Sequence, residues 1–360
     1  MANPLEHQLS YPFGDQLPAT GTTLEIAPGV RWVRMGLPFA LDHINLWLLR
    51  DREAGPDGRE GWAVVDCGIT SDVTRQAWEQ IFAEELDGLP VLRVIVTHMH
   101  PDHIGLAHWI TQRWSTPEQP CRLWISATDW NAARTASRQT TGFGGEAAAA
   151  FFGSHGLVDP VAQQKVRERG NYYGSMVPEV PGQFRRLMDG QALRIGEHVW
   201  TCHAGHGHSP EHISLHCEAL GLLISGDMVL PRISTNVSVI DLEPEADPLP
   251  LYLASLERMR RLPATTLVLP SHGKPFRGLH ERIAQLQQHH EERLADVLRA
   301  CAQAPCSASD ILPVLFRRAL DLHQTTFAMG EAIAHLHALW LSGDLRRLRG
   351  ADGVWRFAPA

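Results

Sequence analysis

Short apolar runs separated by glycine, proline and polar residues fill most of the chain before about residue 280. Runs of this length are typical of β-strands. The run "VLRVIVT" (91–97) is apolar without alternation, so we expect both faces of that strand to be covered. The first 25 or so residues are polar and predict a coil. The predicted strands span residues 30–35, 44–51, 61–68, 91–97, 122–127, 192–196, 198–204, 212–219, 220–227 and 265–273.

Two helical segments interrupt these strands. Residues 71–86 predict a helix with Ser71 as its N-cap and an apolar face that includes Val73 and Phe82. Residues 131–185 are rich in helix-forming residues with glycine and proline breaks. We interpret them as an insertion laid over the fold rather than as part of a sheet, and expect it to act as a lid.

The pattern becomes helical beyond residue 280. A stripe of buried-type residues predicts one helix, Ser307 and Asp310 form a capping-box-like start of a second, and residues 326–345 predict a third. A β-hairpin around Asp352 follows. Three helices and a hairpin are typical of a winged helix. We therefore expect an α/β domain at 1–278 and a winged-helix-like domain at 279–360.

Composition narrows the class of protein. The 360 residues allow two domains, and the net charge of −8 with a pI near 6.2 argues against a general nucleic-acid surface. Six cysteines without a C-x-x-C pair favour reduced thiols in a cytoplasm. We see neither a signal-peptide pattern nor 18 consecutive apolar residues, so a cytoplasmic protein without a membrane partner is expected.

The stretch "THMHPDH" carries the strongest chemical signal. His98 and His100 stand two residues apart after an apolar run, so both side chains leave one side of an extended segment. Asp102 and His103 follow a proline that turns the chain. Four such groups are costly to bury without a counter-ion. Imidazole and carboxylate are ligands for zinc, iron or manganese, so the cluster predicts a metal site.

Further candidate ligands lie at the ends of later predicted strands. "HGHSPEH" contains His206, His208 and His212, "LLISGD" ends in Asp227, and "LVLPSH" ends in His272.

The ordered set of motifs over roughly residues 25–275 resembles the metallo-β-lactamase superfamily, with a metal site similar to that of glyoxalase II. The resemblance implies an αββα sandwich that holds two divalent metals, zinc first and iron or manganese as alternatives. It assigns His98, His100 and His208 to the first metal, Asp102, His103 and His272 to the second, and Asp227 to a bridge between them. Asp66, which ends the strand "AVVD", would orient ligands from behind, and we expect His212 to pack there too.

This resemblance implies hydrolysis by a hydroxide that bridges the metals, with Asp102 and Asp227 as the catalytic carboxylates. Zinc β-lactamases of the commonest subclass have Arg where His103 stands and Cys where Asp227 stands, which disfavours β-lactam hydrolysis. Flavodiiron proteins have Glu in place of His100. An acyl thioester of glutathione or coenzyme A is the expected substrate. A single-strand-specific endoribonuclease or phosphodiesterase is the main alternative, and a lactonase or one-iron sulfur dioxygenase a further one.

Substrate contacts are expected from the insertion and from the segment after Asp227. Tyr172, Tyr173 and Met176, with Phe184, line an apolar channel in one interpretation and anchor the insertion in the other. Arg232 is a candidate for binding an anionic substrate group, and a surface role is the alternative.

The C-terminal segment resembles the module of the lactamase-β-like branch. Its helix 331–342 carries no Lys or Arg, so packing or homodimer formation is favoured over nucleic-acid binding.

Overall fold

In a computed structural model, described for residues 3–53, 55, 58–140, 142–316 and 319–360, two β-sheets pack face to face. The larger sheet joins seven strands in chain order. Neighbours are antiparallel from the first strand to the fourth and parallel from the fourth to the seventh. Its strands are β1 (Thr23–Ala27), β2 (Val30–Gly36), β3 (His43–Arg52), β4 (Glu60–Val65), β5 (Val91–Ile95), β6 (Arg122–Ser126) and β7 (Phe184–Leu187).

The second sheet has five strands in the order β12-β11-β10-β9-β8, with only the β11–β12 pair parallel. A separate hairpin ends the chain. The strands are β8 (Ala192–Ile195), β9 (His198–Gly205), β10 (His212–Cys217), β11 (Leu222–Gly226) and β12 (Leu267–Pro270), followed by the hairpin strands β13 (Leu345–Arg349) and β14 (Trp355–Pro359).

Helices cover the outer faces of both sheets. No helix in the part of the chain that the structure describes has the length and apolar character needed to cross a bilayer. The helices are α1 (Asp72–Glu84), α2 (Pro101–Ile104), α3 (Ala107–Trp114), α4 (Ala127–Arg138), α5 (Gly145–Ser154), α6 (Pro160–Glu168), α7 (Tyr172–Met176), α8 (Pro248–Met259), α9 (Leu279–Gln303), α10 (Ala308–Leu315) and α11 (Leu322–Leu341), with a 3₁₀ turn at Glu6–Gln8.

The core between the sheets contains one buried polar clamp. Trp32 and Trp47 stack there with ring centroids 6.2 Å apart. The Asn45 side chain accepts a hydrogen bond from the Trp32 indole at 2.9 Å. Its amide donates to the carbonyls of Pro270 at 2.8 Å and Gly273 at 2.9 Å. Because buried polar groups are costly when unpaired, this clamp fixes the end of β12 against β3.

The predicted αββα sandwich is confirmed, and individual elements needed correction. Strand β1 was missed: residues 23–25 fall in the segment predicted as coil, and none of the five residues of this edge strand is fully buried. Helix α8 was not predicted, because its first residues include Pro248 and Pro250 and proline usually indicates a break. Proline at the first helical position is nevertheless well tolerated. Ser71 caps α1 as predicted, but Val73 is 68% exposed and does not belong to its buried face.

The insertion at 131–185 differs from the predicted lid. Phe184 and Arg185 are part of β7, and the Phe184 ring stacks on Trp130 with centroids 4.3 Å apart, so this residue belongs to the sheet. Phe152 of α5 and Val166 of α6 are buried in the apolar cluster that includes the C-terminal helices. These two helices therefore support the C-terminal segment rather than cover the sheet edge.

The C-terminal segment has the predicted order of three helices and a hairpin. The capping box at Ser307 and Asp310 is confirmed, with both reciprocal hydrogen bonds present. Ile333 and Leu336 of α11 are fully buried, as expected for a helix that packs rather than enters a groove. The assignment as a winged helix stays a prediction.

Candidate metal centre

Every strand that precedes a predicted motif ends at the same edge of the sandwich. Strands β4 and β5 are parallel neighbours, and so are β11 and β12, while β9 runs parallel to β11 because two antiparallel pairings separate them. The Ile213 amide donates to the Thr97 carbonyl at 2.8 Å, which joins the two sheets at this edge. The residues that follow strands β4, β5, β9, β11 and β12 are thereby brought to one edge of the sandwich.

The first predicted ligand group forms a triangle of nitrogens. His98 Nε2 lies 2.9 Å from His100 Nδ1, which lies 3.1 Å from His208 Nε2, and the remaining side is 3.2 Å. Zinc–nitrogen bonds of 2.0–2.1 Å in a tetrahedron imply nitrogens about 3.3–3.4 Å apart. The three imidazoles therefore fit one face of a tetrahedral site.

The second group contains Asp102, His103 and His272. His272 Nε2 lies 3.4 Å from Asp102 Oδ2, and His103 Nε2 lies 3.8 Å from the same oxygen. Asp227 joins the two groups. Its Oδ1 is 3.4 Å from His272 Nε2, whereas its Oδ2 is 3.3 Å from His208 Nε2. Each oxygen faces one group, an arrangement in which the carboxylate could contact a metal at either group.

The polar atoms of these groups fit divalent cations. Among the described residues, His103 Nε2 and Asp227 Oδ1 are buried without a hydrogen-bond partner, an arrangement that is costly unless another ligand satisfies them. Burial, followed by the charge of neighbouring imidazoles, lowers the pKa of His98 well below its usual value, and the pKa of His100 falls to about 3. Neutral imidazoles with free lone pairs are the form that binds a metal, and these lowered pKa values place His98 and His100 of the first group in that form.

Asp66 supports the second group from behind. It is buried with a left-handed φ of 60°, a strained conformation that aims its carboxylate back at the edge. The carboxylate accepts hydrogen bonds from the Thr97 amide at 2.8 Å and from His103 Nδ1 at 2.8 Å. The latter bond leaves Nε2 of His103 facing Asp227 and Asp102, as the sequence resemblance implied.

Two further histidines, His212 and His43, form hydrogen bonds with the predicted ligands Asp227 and His272. His212 is fully buried, and its Nε2 accepts a hydrogen bond from the Asp227 amide at 3.2 Å, so it lies behind the bridge as predicted. His43 lies outside every motif found in the sequence. Its carbonyl accepts from His272 Nδ1 at 2.7 Å, and its Nε2 accepts from the Gly273 amide at 2.8 Å. His43 therefore orients His272 and the glycine that follows it.

Asp129 is a supporting residue that the sequence did not reveal. Its buried carboxylate accepts hydrogen bonds from the Met99 amide at 2.8 Å and the Glu211 amide at 2.6 Å. It therefore ties the loop that bears His98 and His100 to the loop that follows His208. Ser126 and Asp129 have the spacing of a helix cap, which by itself accounts for an acidic residue at this position. The sequence therefore gives no sign that the carboxylate also binds two distant amides.

The C-terminal segment reaches the first group through Asn236. His208 Nδ1 donates to the Asn236 carbonyl at 2.7 Å, which leaves Nε2 free for a metal. The Asn236 side chain donates to Glu331 of α11 at 3.3 Å and accepts from Ser238 at 2.7 Å. Burial raises the pKa of Glu331 to about 7. Helix α11 is thus two hydrogen bonds from a predicted ligand.

The residues predicted to contact substrate have different surroundings in the structure. Tyr173 donates its hydroxyl hydrogen to the Met99 carbonyl, and Met176 packs on the apolar cluster beside the larger sheet, so both anchor the insertion. Tyr172 is half-buried, with the Arg169 guanidinium carbon 5.5 Å from its ring centroid, and burial, with a smaller contribution from the charge of Asp102, raises the pKa of Tyr172. Arg232 is 64% exposed and pairs with Glu6 at 3.2 Å.

Comparisons with known families agree with this geometry. A model described as the metallo-β-lactamase superfamily matches residues 41–272, and one described as a metallo-β-lactamase-like C-terminal domain matches residues 294–360. The probable metallo-hydrolase YqjP of Bacillus subtilis (strain 168) is 23% identical over 327 residues, which are 85% of this chain and 91% of that protein.

Two solved structures resemble the whole chain. A β-lactamase domain protein from Burkholderia ambifaria is 57% identical with a TM-score of 0.92, covering 99% of this chain and 100% of the other. A metallo-β-lactamase family protein from Thermus thermophilus is 26% identical with a TM-score of 0.71, covering 93% of this chain and 100% of the other.

Proposed function

The chain belongs to the metallo-β-lactamase superfamily of hydrolases, and we propose that it uses two divalent metals, with zinc as the first candidate, to hydrolyse an acyl thioester of the glutathione or coenzyme A type. The observation that carries the proposal is the pair of ligand groups joined by Asp227, whose two oxygens face one group each. Seven side chains that are suited to two metals and aligned at one open edge support hydrolysis.

The metals, when bound, supply a water that ionises near neutral pH and polarisation of the scissile carbonyl. The protein supplies placement. Asp227 would hold both metals, while Asp66 and His212 fix ligands from behind. The side chain of Asp102 is 19% exposed and that of Asp227 is 11% exposed. We therefore assign to Asp102 the role of accepting the proton that the attacking water loses.

Two features favour a small acyl substrate over nucleic acid. The face of α11 expected to enter a groove is buried at Ile333 and Leu336. Two of the four arginines in the hairpin strands pair with acids of the chain: Arg347 pairs with Glu245 at 2.6 Å, and Arg356 pairs with Asp352 at 2.7 Å. Paired arginines contribute less to a phosphate-binding surface than free ones.

A hydrolysis screen with metal-loaded protein tests the proposal. The panel would contain S-acetylglutathione, acetyl-CoA, a lactone, a phosphodiester and RNA. We expect about two metals per chain by elemental analysis and turnover of an acyl thioester.

The variant Asp102→Ala should lose at least about 100-fold in kcat while keeping its circular dichroism spectrum. The control Asp159→Asn alters an exposed helix cap and should keep full activity. Cleavage of RNA without any thioester turnover would refute the thioesterase assignment, and full activity of Asp102→Ala would refute the two-metal mechanism.

A further inference from the structure

A cavity of about 400 Å³ adjoins the metal centre on the side of His272. Its inner wall is formed by His43 and Gly273, and its outer wall by the N-terminal segment that includes Glu6 and Asp15. The volume lies within the range of pockets that hold small ligands. The arrangement of the metal ligands does not by itself explain this cavity.

The inner wall is coupled directly to the metal centre. The His43 and His272 rings lie 6.1 Å apart between centroids, and the His43 carbonyl receives the hydrogen bond that orients His272. A group in the cavity would therefore be separated from the second ligand group by one imidazole. This spacing suits a substrate whose scissile bond lies at the metals and whose remaining part extends into the cavity.

Three basic and two acidic side chains line the cavity. Arg232 pairs with Glu6 at 3.2 Å, and Lys274 pairs with Asp15 at 2.8 Å. Arg34 makes no ion pair with any carboxylate in the described part of the chain. The basic side chains that line the cavity thus outnumber the acidic ones by one, and Arg34 is the one of the three without an ion pair.

The register of β2 explains why this arginine is unusual. Val30, Trp32 and Arg34 share the face of β2 that points between the sheets, and the first two are buried core residues. Burial lowers the pKa of Arg34, and Asp42, the acid that opposes this shift, accepts a hydrogen bond from His43 Nδ1 at 2.6 Å. Asp42 acts on this half-buried guanidinium without an ion-pair contact, so the planar donors of Arg34 stay suited to a carboxylate or phosphate.

We propose that the cavity binds an anionic group of the substrate, a carboxylate or a phosphate, with Arg34 as the anchoring residue. This inference rests on the proposed function, because it assumes that the scissile bond lies at the metal centre. It assigns specificity to a residue of β2 rather than to Arg232, whose charge Glu6 already balances. The anionic group would be either a carboxylate of a glutathione thioester or a phosphate of a coenzyme A thioester.

The test compares charged and neutral substrates with the same acyl group. S-acetylglutathione and acetyl-CoA carry the anion, and the acetyl thioester of N-acetylcysteamine lacks it. For Arg34→Gln we expect the KM of one anionic substrate to rise about 10- to 100-fold, the range for a lost charged hydrogen bond. Values for the neutral thioester should be unchanged, and Arg34→Lys should recover part of the loss. The glutathione and coenzyme A arms identify which anion is bound.

A matched control is Arg31→Gln, on the same strand but the opposite face, where Arg31 pairs with Asp87. It should leave the discrimination between charged and neutral thioesters unchanged. An equal change in KM for both substrate types in Arg34→Gln, or no change for either, would overturn the proposal.

Direct binding separates this proposal from the proposed function. Calorimetric titrations with S-methylglutathione and with coenzyme A, which do not depend on hydrolysis, should show weaker binding to Arg34→Gln than to the unaltered protein for at least one ligand. That result would sustain the cavity assignment even if no thioester were cleaved. Equal binding of both ligands to the two proteins would overturn it even if thioesters were cleaved.

Discussion

Asp129→Asn tests whether one buried carboxylate holds the two ligand loops together. The asparagine has nearly the same shape but offers one oxygen, so it can accept from only one of the Met99 and Glu211 amides. Its NH₂ group would face the other amide, which leaves that buried donor unsatisfied.

The magnitude follows from the lost bond. A hydrogen bond to a charged acceptor contributes about 1.5–3 kcal/mol. The loss is offset in part, because burial raises the pKa of Asp129 and the neutral asparagine avoids the cost of a buried charge. We therefore expect the free energy of unfolding to fall by about 1–3 kcal/mol, within the 5–15 kcal/mol typical of folded proteins. Because supporting hydrogen bonds tune metal affinity, chelator competition should show a loss of about 10-fold.

The assay is urea unfolding together with chelator competition on the same preparations. Asp159→Asn is a matched control: Asp159 is an exposed helix N-cap that accepts from the Ala162 amide at 3.4 Å, and asparagine serves equally well there. Native-state hydrogen exchange should be faster at the Met99 and Glu211 amides in Asp129→Asn. If the unfolding midpoint and metal affinity of Asp129→Asn matched those of the control, the reasoning about this brace would be wrong.

Three other predictions concern the same edge of the sandwich. Tyr173→Phe removes the hydrogen bond to Met99 and should cost about 0.5–1.5 kcal/mol in urea unfolding while KM changes less than about two-fold; a large rise in KM would instead indicate a substrate contact. The raised pKa of Glu331 means that its contribution to stability is present below about pH 4.5 and is lost as the pH rises through about 7. Glu331→Gln should therefore become more stable relative to the unaltered protein across that window, by at most about 3 kcal/mol for a shift of this size, and parallel pH profiles of unfolding would contradict this. Removal of metal by a chelator should lower the free energy of unfolding by about 2.7 kcal/mol for a metal present at a hundred times its Kd, and an unchanged urea midpoint would contradict metal binding at this site.

The first candidate ligands were visible in the sequence because their pattern is dense and local, and the family resemblance supplied the division of the ligands into two groups. His98, His100, Asp102 and His103 occupy six positions after an apolar strand. Asp227 and His272 each follow the end of a strand in the same way. A strand ends where its side chains reach the edge of a sheet, so motif and topology point to the same place. The apolar runs predicted individual strands, whereas the αββα sandwich was implied by the family resemblance.

The supporting residues were harder to predict because their contacts join distant parts of the chain. Asp129 lies 82 residues from Glu211, whose amide it binds, and Asn236 lies 95 residues from Glu331. His43 acts on His272 through its carbonyl, a group that every residue carries. No residue-type pattern distinguishes such a contact before the fold is known.

Arg34 lies between these two cases. The alternation of Val30, Trp32 and Arg34 is visible in the sequence and places a charge on an apolar face. By itself, that pattern fits an edge arginine whose stem packs on the core while its head reaches water. The structure adds what the pattern lacks, since the neighbouring cations Arg232 and Lys274 have acidic partners from the N-terminal segment and Arg34 does not. This missing ion pair, in a cavity lined by His43 and Gly273, is the observation on which the proposed anion-binding role of Arg34 depends.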